Sequence, residues 1–186
     1  MVRSWQPARI LDLATGSGDL AITLQGACPG ALVIGADFCP PMLSVARRKG
    51  LEYLVAADGL QLPFAESSFD AVTIAFGLRN MASWPVALAE MRRVLRPGGH
   101  VLILDFSLPS APLRWIYRPY LHSVLPWVAA LLTGKKTAYD YLGDSIEQFP
   151  HGAAMGALLA EAGFDSAAHQ PLSGGIVSLY TASRPA

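Results

Sequence analysis

The stretch ILDLATGSGDLA, residues 10–21, is the feature that most limits what this chain can fold into. An apolar run that contains Asp12 breaks at a turn with Gly16 and Gly18, and apolar residues then resume at helical spacing. A strand, a glycine turn and a helix in direct succession are typical of an open α/β sheet. Glycines at such a turn open the backbone N–H groups to a bound group, although an ordinary strand-to-helix turn can hold the same glycines.

Apolar runs and helical patterns alternate along the rest of the chain. The runs predicted as strands, apolar on both faces, are 9–14, 31–36, 52–57, 70–76 and 100–106. The runs predicted as helices are 18–27, 41–49, 84–95 and 152–162. Two final segments, 164–170 and 175–182, flank a glycine turn and predict an antiparallel pair. We therefore expect a single α/β domain over residues 1–186, doubly wound and mostly parallel, with an antiparallel last strand.

Residues 108–150 interrupt this alternation and are rich in proline and aromatic side chains. We interpret them as a helical insertion that follows the fifth strand, whose aromatic side chains either bind substrate or pack a lid or a dimer interface. The hydrophobic fraction of 52% and the mean hydropathy of +0.35 favour an apolar ligand or a membrane surface. The longest apolar stretch, 123–134, is too short to span a bilayer.

Charge and cysteine content exclude several classes of function. The formal net charge is zero and only 15% of residues are charged, which argues against a nucleic-acid partner. Cys28 and Cys39 are the two cysteines, without histidines at ligand spacing, so we expect reduced thiols, no metal site and a cytoplasmic location.

Acidic residues lie in or just after the first three predicted strands. Asp37 ends the second strand, where a carboxylate can accept both hydroxyls of a ribose; a nicotinamide enzyme would share that feature. Asp58 and Gly59 offer an acceptor and a close backbone where an adenine edge would lie. Asp12 suits a ligand that carries a cation, because a carboxylate attracts a sulfonium and repels a pyrophosphate. The pattern favours S-adenosylmethionine over a nicotinamide dinucleotide.

Together, DLATGSGD, AD, ADG, SFDAV and RVLRPGG resemble the class I S-adenosylmethionine-dependent methyltransferases. FGLRN at 76–80, the insertion at 120–150 and GGIVSLY at 174–180 resemble, more narrowly, the ubiquinone/menaquinone biosynthesis C-methyltransferase family. The resemblance implies a Rossmann-like, seven-stranded sheet and C-methylation of a polyprenylated quinol ring, either a demethylmenaquinol or a ubiquinol precursor. The cofactor-binding residues it implies are Asp12, Thr15, Gly16, Gly18, Asp37, Phe38, Met42, Asp58, Gly59 and Ala75.

The chain departs from the pattern of that family at a few positions. The family usually carries a further segment before the first strand, where this chain has only a short one, and that difference bears on full activity. Asp105 stands where the family mostly has Glu, Gly143 where Pro is common, and Lys135 where an acid is common.

The resemblance also places Arg79 and Asn80 at the reactive end of the cofactor. We expect Arg79 to stabilise a developing phenolate or hold a water, and Asn80 to orient that water. The alternative for Arg79 is an ion pair with a helix carboxylate. Tyr141 is a third catalytic candidate, as a hydrogen-bond donor to a quinol oxygen.

Among the histidines, His122 is the candidate that lies in the insertion. We expect structural roles for His100 and His169 and a helix-start position for His151.

A quinol with a polyprenyl tail implies weak, peripheral contact with the inner face of a membrane, and a homodimer is a further expectation. Two other functions stay open at this point: methylation of another small apolar acceptor, and S-adenosylmethionine binding without turnover.

Overall fold

The computed structural model describes residues 1–109, Trp115 and residues 143–186, and these form one sheet in the order β3-β2-β1-β4-β5-β7-β6. Its strands are β1 (Arg9–Leu13), β2 (Leu32–Asp37), β3 (Leu54–Ala56), β4 (Phe69–Ala75), β5 (Leu95–Phe106), β6 (Asp165–Leu172) and β7 (Val177–Ser183). The helices with assigned bounds are α1 (Asp19–Ala27), α2 (Pro40–Arg48), α3 (Trp84–Val94) and α4 (Ala153–Glu161). Residues 143–148 are also helical.

The first five strands are parallel, and β7 lies antiparallel between β5 and β6. The expected doubly wound fold with an antiparallel end is therefore confirmed. The chain reverses its direction of travel across the sheet between β1 and β4, which flank each other in parallel register. Crevices for ligands form at such a switch point, outside the carboxyl ends of the strands.

The two faces of the sheet bury separate apolar clusters. One face carries Leu11, Leu13, Val101 and Ile103 with α3 and α4, and the other carries Ile10 and its neighbours with α1 and α2. Strands buried on both sides explain the continuous apolar runs in the sequence. The two edge strands are exceptions: β6 is exposed at almost every position, and β3 has no buried residue.

Some element boundaries differ from the sequence-based prediction. The third strand covers three residues rather than the whole of 52–57. The fifth strand starts at Leu95, directly after α3, rather than at His100, because Leu95 pairs with Phe69. The backbone then passes Gly99, where a Cβ atom would lie 2.9 Å from the carbonyl oxygen of Arg96. The register shift in this segment hid the early start of the strand from the sequence pattern.

Two arginines near the end of α3 donate hydrogen bonds to backbone carbonyl groups outside the helix. Arg92 Nε donates to the carbonyl oxygen of Gly163 at 2.9 Å. Arg93 donates to the carbonyl oxygens of Phe64 and Leu62 and pairs with Glu90 at 2.6 Å. Both guanidinium groups therefore connect α3 to neighbouring loops.

The predicted insertion at 108–150 lies largely outside the described residues, and so do His122, Lys135 and Tyr141. At its end, Phe149 is buried and packs edge-on against Trp84, with ring centroids 5.6 Å apart. Among the residues that the structure describes, no helix is both long and apolar enough to cross a bilayer.

Candidate functional site

A cavity of about 500 Å³ opens at the carboxyl ends of β1, β2, β3 and β4. Seven residues singled out from the sequence line it: Gly16, Asp37, Phe38, Met42, Asp58, Gly59 and Asn80. Asp12, Thr15, Gly18, Ala75 and Arg79 do not line it. For this second group, a part in cofactor or substrate binding stays a prediction.

The turn after β1 uses its glycines for different purposes. Gly16, at φ +55°, lines the cavity, whereas a Cβ atom on Gly18 (φ +82°) would lie 2.9 Å from the Cβ of Ala46 in α2. Gly18 therefore allows α1 to start close against α2. The turn is anchored to β2, because the N–H of Thr15 donates to the carbonyl oxygen of Ala36 at 3.0 Å.

Asp12 is buried beneath this turn. Its two carboxylate oxygens accept hydrogen bonds from Thr15 Oγ1 and Thr73 Oγ1, each at 2.7 Å. Burial raises the pKa of Asp12 to about 6, and the two threonine hydroxyls oppose that rise. Asp12 thus connects the turn to β4. That Asp12 takes part in cofactor binding stays a prediction, and any such effect would be transmitted by Thr15.

Asp37 presents its carboxylate to the cavity. One oxygen accepts the N–H of Gly16 at 2.7 Å and the other accepts the N–H of Cys39 at 2.8 Å. Each oxygen keeps a second lone pair, so the group can still accept two hydroxyls from a ligand. The two backbone donors fix the carboxylate in place at the end of β2.

Asp58 and Gly59 border the cavity beside Asp37. Asp58 Oδ1 accepts the N–H of Leu60 at 2.9 Å, which forms a tight turn after β3. A Cβ atom on Gly59 would lie 2.6 Å from Met81 Cε, so this glycine admits the methionine side chain to the cavity wall.

Three large apolar side chains are exposed around the cavity. Phe38 is 78% exposed, while Met42 and Phe76 are each 38% exposed. Exposed apolar surface next to a cavity is typical of a ligand site, because a bound aromatic group can cover it.

Several lining residues were missed by the sequence reasoning. Ala14, Phe76, Gly77 and Met81 are small or apolar residues whose side chains carry no chemical signal, although the first three lie within the motifs DLATGSGD and FGLRN. Ala14 and Phe76 both have left-handed backbone, at φ +51° and +56°. Two non-glycine residues in that region at adjacent strand ends are strained positions, and strain of this kind gathers at functional sites.

Arg79 follows β4 in a short helical turn and is held on several sides. Its Nη1 lies 2.7 Å from Asp105 Oδ1 and donates to the carbonyl oxygen of Phe76, and the guanidinium stacks 5.0 Å from the centroid of the Phe106 ring. The Arg79 side chain is 10% exposed, and its Nε is buried without a hydrogen-bond partner in the described residues. The partner carboxylate comes from a strand, rather than from a helix as the alternative reading supposed.

Asp105, the acidic member of this ion pair, is fully buried. Burial raises its pKa, and the charge and hydrogen bonds of Arg79 oppose the rise. Asp105 accepts hydrogen bonds from both the backbone N–H and the side chain of Arg79.

Asn80 is the neighbour of Arg79 that lines the cavity, with Nδ2 3.3 Å from the carbonyl oxygen of Phe76. Ala75 is the last residue of β4, half-buried and paired with Leu104.

The chemistry of the cavity wall discriminates between cofactors. Its charged residues are the acids Asp37 and Asp58, and no lysine or arginine among the described residues lines it. A pyrophosphate would meet carboxylates without a counter-charge, whereas a nucleoside joined to a sulfonium meets acceptors for its hydroxyls, apolar walls for its base and negative charge for its cation. The residues present fit S-adenosylmethionine. Within the described residues, no cluster of side chains is suited to a metal ion.

Comparison with known proteins agrees with this geometry. The model of the ubiE/COQ5 methyltransferase family matches residues 1–184. The demethylmenaquinone methyltransferase of Thermus thermophilus is 49% identical over 185 residues, which cover 96% of this chain and 84% of that protein. The ubiquinone/menaquinone biosynthesis C-methyltransferase UbiE of Syntrophotalea carbinolica is 43% identical over 182 residues, which cover 95% of this chain and 76% of that protein.

Solved structures share the fold at much lower identity. A possible histamine N-methyltransferase from Thermotoga maritima superposes with a TM-score of 0.69 at 16% identity, over 95% of this chain and 82% of that chain. A methyltransferase dependent on S-adenosylmethionine from Aquifex aeolicus gives 0.68 at 17% identity, over 95% and 81%. These likenesses establish the fold of the sheet and its flanking helices.

Proposed function

The chain belongs to the ubiE/COQ5 methyltransferase family and is an S-adenosylmethionine-dependent enzyme, and from that premise we propose that it methylates a ring carbon of demethylmenaquinol. The curated relative from Thermus thermophilus carries the name of that activity, while others are named for both ubiquinone and menaquinone synthesis. The observation in this chain that supports the proposal best is the cavity whose charged lining is acidic and whose rim is apolar.

Asp37 binds the ribose of the cofactor in this proposal. Its carboxylate already accepts two backbone N–H groups and has lone pairs left for two hydroxyls. Phe38 and Met42 cover the base, and Asp58 accepts from its edge. The cofactor supplies an electrophilic methyl group on a sulfonium, and the chain supplies alignment and exclusion of water, worth up to about 7–11 kcal/mol in well-oriented systems.

Arg79 acts on the acceptor in this proposal. A phenol has a pKa of about 10, so its ring becomes a good carbon nucleophile only when the hydroxyl loses or shares its proton. A guanidinium stays protonated and cannot take that proton, but it stabilises the phenolate that forms. Asp105 and the Phe106 ring hold Arg79 in one orientation, and Asn80 lines the neighbouring wall. Tyr141 is proposed to hydrogen-bond a quinol oxygen; it lies outside the described residues.

The function is tested with methyl-labelled S-adenosylmethionine and three classes of acceptor in parallel. Demethylmenaquinol in detergent micelles is expected to gain one methyl group, and simple phenols and amines are expected to gain none. Label transfer to a phenol or amine alone would identify a methyltransferase with another acceptor. Cofactor binding by calorimetry without transfer to any acceptor would identify a binding protein.

We propose further that the chain works at the inner face of the cytoplasmic membrane. A polyprenyl tail keeps the acceptor in the bilayer, and the aromatic stretch at 108–134 has Arg114, Arg118, Lys135 and Lys136 in or next to it. Apolar side chains flanked by cations favour an interface with anionic lipid. Flotation with vesicles that contain phosphatidylglycerol is expected to recover the protein at low salt and to lose it at high salt. Absence of binding at low salt would contradict this placement.

A further inference from the structure

A second cavity, of about 410 Å³, lies at the same edge of the sheet beyond β5. It is bordered by the residues that follow β5, the segment before α4 and the hairpin of β6 and β7. Among its lining residues are two serines and two histidines: Ser107, Ser178, His151 and His169. The proposed function so far uses none of these four side chains.

Three of them form one hydrogen-bonded chain. Ser107 Oγ donates to the carbonyl oxygen of Gly175 at 2.6 Å, the hydroxyls of Ser107 and Ser178 are 2.9 Å apart, and His169 Nε2 lies 3.0 Å from Ser178 Oγ. Both serines are buried, at 2% exposure each, whereas His169 on the edge strand is exposed.

The number of protons shared by these hydrogen-bonded side chains fixes the tautomer of the His169 imidazole. A carbonyl oxygen can only accept, so the one hydroxyl proton of Ser107 goes to Gly175. Ser178 must then donate its own proton to Ser107, and it can only accept from His169 Nε2. Neutral His169 therefore carries its proton on Nε2, and Nδ1 has a free lone pair with no hydrogen bond to any described residue.

The imidazole is also held in orientation. Its ring stacks on Tyr180, with centroids 4.8 Å apart and planes 12° from parallel, and the Tyr180 hydroxyl in turn accepts the N–H of Gly152 at 2.8 Å. A bond at Nε2 and a stacked face leave the Nδ1 edge as the polar edge of His169 that can meet a ligand.

The hydrogen-bonded side chains of Ser107, Ser178 and His169 lie next to the ion pair of Arg79 and Asp105. Ser178 is directly opposite Asp105 in the antiparallel register of β5 and β7, and directly opposite residues of such a pair lie on the same face of a sheet. Asp105 holds Arg79, and the next residue, Phe106, packs against Phe76 of the first cavity at 4.8 Å. Because neighbouring strands are about 4.8 Å apart, only roughly 10 Å separates the end of β4 from β7.

We propose that the second cavity holds a ring hydroxyl of the aromatic acceptor and that His169 Nδ1 takes its proton; this deepens the proposed function and rests on it. The hydroxyl proton moves to Nδ1, and the adjacent ring carbon forms a bond to the methyl carbon while the methyl–sulfur bond breaks, its electron pair remaining on sulfur. The ring carbon then releases its own proton to water, and the imidazolium returns a proton to the ring oxygen. The sum is one methyl group transferred and one proton released.

The substitution His169→Gln tests the proton transfer. The glutamine amide can occupy the Nε2 position and donate to Ser178, but it has no basic lone pair in place of Nδ1. We expect methyl transfer to fall about 10²-fold, the lower range for loss of a general base, with cofactor affinity unchanged. In the unmodified protein, protonation of Nδ1 at low pH is expected to lower the rate of methyl transfer. This loss of rate at low pH should be absent from His169→Gln. His100→Gln, at the opposite edge of the sheet where His100 stacks on Trp5, is the matched control.

Three titratable groups of the described residues face His169 or the serines bonded to it. They are His151 in the same cavity, Tyr180 beneath the ring and Asp105 opposite Ser178. The pH profile is therefore repeated in His151→Gln. A low-pH loss that vanishes in His151→Gln and persists in His169→Gln would overturn the proposal, and so would full methyl-transfer activity in His169→Gln.

A second readout does not depend on turnover. In protein labelled with ¹⁵N-histidine, His169 should show an unprotonated Nδ1, and 1,4-dihydroxynaphthalene should shift that resonance while leaving the His100 resonances in place. A protonated Nδ1 with an unprotonated Nε2, or no shift at saturating hydroquinone, would overturn the proposal. If the shift appears but no acceptor is methylated, the proposed function fails and the binding of the ring hydroxyl at His169 stands.

Discussion

At the scale of single residues, three aspartates near the site differ in role because their partners differ. Asp12 is buried against two threonine hydroxyls, Asp37 is held by two backbone N–H groups, and Asp58 closes a turn through one. Only Asp37 and Asp58 present their carboxylates to the cavity. The sequence predicts all three as ligands because they lie in or after neighbouring strands, but it cannot show which hydroxyls are close enough to saturate Asp12.

Other residues of the site carry no chemical signal in their own side chains. Phe76 and Met81 are apolar residues in an apolar chain, and their place in the cavity wall depends on the left-handed backbone at Phe76 and the missing side chain at Gly59. The sequence predicts only a structural role for His169, since the tautomer of its ring depends on serines 62 and 9 positions away, brought together by strand pairing. Contacts formed by the register of distant strands are not encoded in local spacing.

Arg79 gives a prediction at this scale. Truncation to alanine would leave buried Asp105 without its counter-charge, so the informative variant is Arg79→Lys, which keeps the charge but loses the planar fork. We expect cofactor affinity to be unchanged and methyl transfer to fall about 10²-fold, the scale of losing one preorganised charge stabiliser. Stopped-flow methyl transfer and calorimetry measure the two quantities.

Arg96→Lys is the control for that measurement, because Arg96 forms an ion pair of the same length with Asp70, and Asp70 lies at the amino-terminal end of β4. It should change neither quantity. Joint loss of thermal stability and cofactor affinity in Arg79→Lys would identify Arg79 as a structural ion-pair member alone.

At the scale of elements, the unit of β1, its turn and α1 depends on how closely helices approach the sheet. Gly18 directly precedes α1 and lies close to Ala46, and Gly35 lets Leu51 and Thr15 approach β2. The sequence predicts these elements well because apolar runs and glycines are local features. It misses the early start of β5, since Leu95 joins the strand only by pairing with Phe69, and Gly98 and Arg184 are joined by a backbone bond across the chain.

Gly18 and Gly98 form a matched pair for a test of this packing. Both have left-handed backbone, at φ +82° and +75°, but a Cβ atom would meet Ala46 at the first and nothing within 4 Å at the second. Gly98→Ala should therefore lose about 1–2 kcal/mol of unfolding free energy from its backbone alone. Gly18→Ala should lose about 1–3 kcal/mol more from overpacking, and its cofactor affinity should fall as the turn shifts.

Urea denaturation of both variants, with cofactor titration on each, measures these differences. Equal losses of stability would show that α2 yields to the added methyl group, and that Gly18 is retained for its backbone angle rather than for close packing.

At the scale of the whole molecule, the order of the strands brings the two cavities to one edge of the sheet. The reversal between β1 and β4 opens the first cavity, and the insertion of β7 between β5 and β6 shapes the second. Between them lie Asp105 and Phe106 at the end of β5, which touch Arg79 and Phe76. A methyl donor in the first cavity and an aromatic hydroxyl in the second would therefore face each other across the end of one strand.

Binding at this edge should stabilise the whole fold, because the cofactor cavity is assembled from the ends of β1 to β4. A ligand that binds only the folded chain at 100 times its Kd adds about 2.7 kcal/mol of unfolding free energy. For a chain of this size each kcal/mol raises Tm by about 2–4 °C, so S-adenosylmethionine should raise Tm by roughly 5–10 °C.

In Asp37→Asn, one acceptor for the ribose is lost, and a tenfold weaker Kd would halve the added free energy at the same cofactor concentration. Thermal melts with and without cofactor separate this effect from the lower intrinsic Tm expected when the Gly16 or Cys39 N–H loses its acceptor. Asp19→Asn, which changes an exposed carboxylate paired with Lys49, should keep the full cofactor-induced rise. A folded Asp37→Asn protein that also kept the full rise would remove Asp37 from the cofactor site.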